Sequence, residues 1–134
     1  MRRTLAYWIP TALFSLAFTA SAVQDLTHAD AIMAGLAHLG YPAYLATFLG
    51  VLKLAAIATI LTPGLPRLKE WAYAGITFEL LGASYSHAAS GDSVRFIVTP
   101  LVLLAVALAS RALRVPTLDR QTVVRPGTVA PSAT

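Results

Sequence analysis

Two opposite charges stand alone inside apolar runs: Lys53 in TFLGVLKLAAIATIL and Glu79 in WAYAGITFELLGASYS. A charge at the centre of a membrane helix costs at least about 2.5 to 3.5 kcal/mol, so it persists where it has a partner, a cavity or a task. Each of the two lies midway along its run, so if the runs cross a membrane in opposite directions the side chains meet at one depth. There the ammonium donates hydrogen bonds, and the carboxylate accepts them or trades a proton. Such a pair either fixes helix register and orientation without chemistry, or lines a polar pocket for a quinone-like headgroup, a lipid or a proton. His87 falls two turns beyond Glu79 and is the third candidate for that interior.

A second polar set gathers around the segment between the first two runs: Gln24, Asp25, His28 and His38, with His87 and Asp92 further along the chain. Histidine and carboxylate suit zinc, iron or copper. Their spacing matches no metal motif such as H-E-x-x-H, and no metal site is expected. Asp25 is expected to cap or tether a short helix in the following loop through backbone N–H groups. There is no nucleophile elbow, P-loop or dinucleotide fingerprint, so no catalytic residue is assigned and catalysis by the chain alone is not expected. With no cysteine, disulfides, thiol redox chemistry and zinc–thiolate sites are excluded.

The elements that must hold these residues follow from composition. The 134 residues are 57% hydrophobic and 12% charged, with a mean hydropathy of +0.67, which marks a membrane protein. Apolar blocks at 5–23, 44–61, 71–89 and 96–113 each approach the roughly 20 residues that a helix needs to span a bilayer. They lack the period-two alternation of a barrel. The expected class is all-α: a transmembrane four-helix bundle over residues 1–114, with a disordered cytoplasmic tail at 115–134 containing Pro116, Pro126, Gly127 and Pro131. On the third block, Gly75, Glu79, Gly82 and Ser86 fall on one helical face, expected to point inward against Ala46, Gly50 and Lys53 of the second.

With four crossings, Arg2, Arg3, Arg67, Lys69, Arg111, Arg114, Arg120 and Arg125 fall on one side and Arg95 on the other, so both termini are expected in the cytoplasm. That distribution reads as a topology signal rather than a nucleic-acid surface. Trp8, Tyr41, Tyr44, Trp71, Tyr73 and Tyr85 lie toward block ends, as interfacial rings do. In the first loop, Ile32, Met33, Leu36 and Leu39 recur at helical spacing and predict a small amphipathic helix on the outer surface or over the bundle mouth. Thr27 or Asp30 is expected to cap it, and Gly40 to end it. Residues 63–70, with Pro63 and Pro66, predict a tight cytoplasmic turn that stops the second helix. Residues 90–93 predict an outer turn able to cap the last span. Met1-Arg2-Arg3 with Ala20-Ser21-Ala22 also has the pattern of a cleavable signal peptide; a retained first span is the preferred reading.

The stretches HLGYPAYLATFLGVLKLAAI and PRLKEWAYAGITFELLGASYSHAASGD strongly resemble the DoxX-like family of small bacterial four-span membrane proteins, over about residues 5–114. The matching positions are Gly50, Lys53, Glu79, Gly82, His87, Gly91 and Asp92. The resemblance implies a four-helix bundle in the bacterial inner membrane. It also implies an accessory or redox-associated component, since the family takes its name from a subunit associated with a quinol oxidase. The expected ligand is a quinone or a lipid at Lys53, Glu79 and His87. Expected partners are membrane lipids, a membrane or oxidoreductase protein, and a second copy of the chain. The alternatives are a small transporter or proton pathway, or a non-catalytic membrane scaffold.

Overall fold

The computed structural model describes residues 2–114, with side chains from Leu5 onward; the tail expected at 115–134 lies outside the described residues. Five helices follow one another: α1 (Arg2–Leu26), α2 (Asp30–His38), α3 (Tyr44–Leu61), α4 (Pro66–Ala89) and α5 (Val94–Leu113). The chain is all-α, with no strand among the described residues. α1, α3, α4 and α5 close a ring in which α1 packs on α3 and α5, and α4 packs on the same two. The short α2 touches α3 and buries none of its residues.

The second block was expected at 44–61, and α3 has those bounds. The other three helices are longer than their apolar blocks, because a helix does not end where hydropathy does. α4 begins at Pro66, so Arg67, Lys69 and Glu70 form a charged helical turn rather than a loop. Proline suits this first position, where its missing N–H would have no partner and its fixed φ already matches the helix. The expected stop at the second proline is therefore a start. The connection shrinks to 62–65 and turns at Gly64, whose φ of 79° lies in the left-handed region that glycine enters freely.

The faces of the helices are polarised opposite to those of a water-soluble bundle. Large apolar side chains point outward, among them Leu16 at 73% and Phe78 at 74% exposure. Thr11, Ser15, Asp25, Lys53, Ser84 and Ser110 are buried among Phe14, Phe18, Ile60 and Ile76. An apolar exterior of this extent is what a lipid solvent rewards, and small or hydroxylated residues at the contacts let helices approach and hydrogen-bond. Among the described residues, three helices are long and apolar enough to cross a membrane: Leu5–Leu26, Tyr44–Leu61 and Val94–Leu113. α4 has 24 residues, and with Arg67, Lys69, Glu70 and Glu79 it is not among those three.

Two polar knots fix the ring away from α2. Ser110 on α5 joins Thr11 of α1, 2.6 Å between hydroxyl oxygens, to Tyr73 of α4 at 2.9 Å. Tyr73, expected at an interface, is instead part of the buried core because Ser110 gives its hydroxyl a partner there. Nearby, Glu70 forms ion pairs with Arg111 at 2.7 Å and with Arg114 at 3.0 Å, clamping the start of α4 to the end of α5.

Candidate functional site

Lys53 is buried on α3 and reaches three oxygens. Its Nζ donates to Asp25 Oδ2 at 2.6 Å and to Ser21 Oγ at 2.9 Å, and lies 3.1 Å from Glu79 Oε1. The ammonium's three N–H groups are thus matched within one shell. The same Nζ stands 5.5 Å from the centre of the Phe18 ring, a cation–π contact that an apolar setting strengthens.

The Lys53–Glu79 contact expected from the sequence is present, and it has a third member that the sequence reading placed elsewhere. Asp25 does not cap α2; the residue before that helix is Ala29, and no side chain caps it. Ser21 and Asp25 are one turn apart on α1, so they share a face, and that face meets Lys53. What brings it there is Gly50, one turn before Lys53 on α3. A Cβ at Gly50 would stand 2.7 Å from Leu26 Cγ and 3.1 Å from the Ala22 carbonyl oxygen. The missing side chain lets the end of α1 press onto α3 and sets Asp25 level with the ammonium.

The close seam is therefore α1 against α3, which corrects the expected tight α3–α4 contact. A Cβ at Gly75 or at Gly82 would meet nothing within 4 Å, and both residues are exposed. Gly82 faces outward, while Gly75 and Glu79 of the same stripe border the gap between α4 and α3, because α4 lies more closely along α5 than along α3. The looser α3–α4 seam opens into a cavity of about 440 Å³. Its wall is apolar and aromatic, formed by Leu49, Leu52 and Ala56 of α3, Trp71 and Ile76 of α4, and Phe18 of α1, and Glu79 is its ionisable member. Side-chain exposure orders the three charges: 6% for Asp25, 9% for Lys53 and 20% for Glu79. Asp25 is the enclosed counter-ion, and Glu79 faces both the ammonium and the cavity.

His87 does not line this cavity. It belongs to a second cluster in which Asp92 bridges two imidazoles: Oδ1 to His38 Nε2 and Oδ2 to His87 Nδ1, each 2.7 Å. His87 also stacks on Phe96, with centroids 5.5 Å apart. The hydrogen bonds from His87 and then His38 hold the Asp92 carboxyl below its usual pKa. Asp92 does not cap α5; Ser93 precedes that helix, and its side chain makes no capping bond. Two further polar contacts tie down the segment around α2: His28 to Thr47 and Tyr41 to Ser86, each 2.7 Å. Among the described residues, no three His, Asp or Glu side chains gather in a group that could hold a metal.

Chemically, the first cluster offers a charged group at the end of an apolar chamber, and the second fastens a loop. Sequence reasoning missed Asp25 as a partner of Lys53, although Ser21 and Asp25 at helical spacing, with Gly50 one turn before Lys53, were the available signal. No curated protein and no solved structure gives a significant match to the chain. The sequence does match the DoxX-like family over residues 9–110, a span that contains Ser21, Asp25, Gly50, Lys53 and Glu79 together with the helices that carry them. With its outward apolar faces and three helices able to cross a membrane, the chain belongs to the DoxX-like family of membrane proteins.

Proposed function

We propose that this protein is a four-span component of the bacterial inner membrane that holds a membrane-dissolved amphiphile, of the quinone or lipid class, in the α3–α4 cavity. The observation that carries this reading is the cavity of about 440 Å³ whose apolar wall includes one carboxylate, Glu79. Sites for small molecules combine mostly apolar walls with a few placed polar groups in this way. α4 completes the fourth crossing as a neighbour of both α3 and α5, its central charge matched by Lys53. The basic residues Arg67, Lys69, Arg111 and Arg114 sit at one end of the ring and Arg95 at the other, which supports cytoplasmic termini. An accessory or redox-associated role beside a membrane or oxidoreductase partner is part of the same proposal.

The test is mass spectrometry of what leaves the membrane with the purified protein. A lipid or quinone at near-stoichiometric amount is expected in wild type, and it is expected to vanish when Ala56→Trp fills the cavity. An empty wild type, or the same bound species in the filled variant, overturns the proposal. Reporter fusions at each terminus check the topology, with cytoplasmic signals at both expected.

A further inference from the structure

Charge balance at the cavity narrows the occupant. Asp25 and Glu79 both face Lys53, so the three side chains in their charged forms carry one surplus negative charge. Lys53 is spent on the enclosed partner: its contact to Asp25, at 2.6 Å, is shorter than that to Glu79, at 3.1 Å. The surplus therefore resides on Glu79, the member that borders the chamber. In a low-dielectric site an unbalanced charge is costly, and a guest of opposite sign removes that cost.

We propose that the α3–α4 cavity binds an amphiphile with a single cationic amine head, which sits on the Glu79 carboxylate while the apolar tail lies along Leu52, Ala56 and Ile76. This rests on the reading of the cavity as a ligand site and chooses, within it, the amine-headed lipid-like class over a neutral quinone. An ammonium reaching Glu79 there faces Lys53 behind the carboxylate, so a single positive charge neutralises the set and a second would be repelled.

Trp71 lines the chamber, and the only other tryptophan is Trp8, so the protein carries its own reporter once Trp8→Phe is introduced. That variant, in uncharged nanodiscs, is titrated with dodecylamine, with dodecanol of equal chain length, and with a short-tailed quinone, following Trp71 emission. The expected result is amine binding at least tenfold tighter than alcohol or quinone, with the preference reduced to within about threefold in Glu79→Gln. Equal affinities for amine and alcohol, or a preference indifferent to Glu79→Gln in a variant whose helical circular dichroism is intact, overturn the amine assignment while leaving the cavity as a site. Tighter quinone binding assigns the neutral class and equally overturns it. A silent Trp71 with all three probes removes the ligand site itself, and this proposal with it.

Discussion

The two polar clusters have inverse designs. Beside the cavity one cation is shared by two carboxylates, with Asp25, Lys53 and Glu79 drawn from α1, α3 and α4. At the α2 end one carboxylate is shared by two imidazoles, Asp92 between His38 and His87. The difference lies in the surroundings. In the first cluster Asp25 and Lys53 are buried between long helices, whereas His38 in the second is exposed. The first should therefore govern whether the ring forms, and the second only how its outer segment is held.

Removing Lys53 tests this contrast most severely. Lys53→Ala leaves two facing carboxylates and should destabilise the fold by about 3 to 5 kcal/mol, the range for breaking a buried pair. Thermal unfolding in detergent checks it, and wild-type stability would dissolve the distinction between the clusters. Exchanging the charges, Lys53→Glu with Glu79→Lys, should not restore stability, since it sets a new carboxylate at position 53 against Asp25. Recovery in that double variant would mean that Asp25 is not a true member of the group.

A middle effect is expected at the close approach. Gly50→Ala pushes a methyl group into Leu26 and should cost about 1 to 3 kcal/mol, as overpacking does. Gly82→Ala, where space is open, should be neutral or stabilising by up to about 1 kcal/mol. Equal losses at the two glycines would show that α1 is not pressed onto α3 as described.

The smallest change belongs to Asp92→Asn, which should leave global unfolding nearly unaltered and speed amide hydrogen exchange in α2. Because the folded-state pKa of Asp92 is depressed, its contribution is fully present above the unfolded value of about 4 and fades as pH falls through the lower folded value. Wild-type protection of α2 should therefore drop on acidification below about pH 4, a step that Asp92→Asn should lack. A wild type without that step would place the anchoring of α2 on other contacts.

How much of this was legible beforehand differs residue by residue. Lys53 and Glu79 announced themselves because a lone charge in an apolar run has few physical excuses, and antiparallel helices put equal depths together. Asp25 stayed hidden because it lies at the end of α1, where an acidic residue reads as a cap for whatever follows. Its true level is set by how far α1 sinks along α3, and that depends on Gly50 meeting Leu26, a contact that no hydropathy pattern encodes. Gly75 and Gly82 misled as marks of a tight contact for the same reason: periodicity identifies a face but not how closely a neighbour approaches it. Pro66 read as a stop because proline both ends helices and begins them, and only the chain path distinguishes the two.

The hydroxyl knot of Thr11, Ser110 and Tyr73 carries a mechanical consequence. Three side chains from α1, α5 and α4 meet at one point, within 2.9 Å of their neighbours, and a helix advances about 1.5 Å per residue. A slip of α5 by a single residue would therefore part both bonds together, so these three rods cannot slide past each other in small increments. Among the described long helices α3 is the one that this knot does not touch; its position relative to the other three is set instead by Lys53 and by the close approach at Gly50.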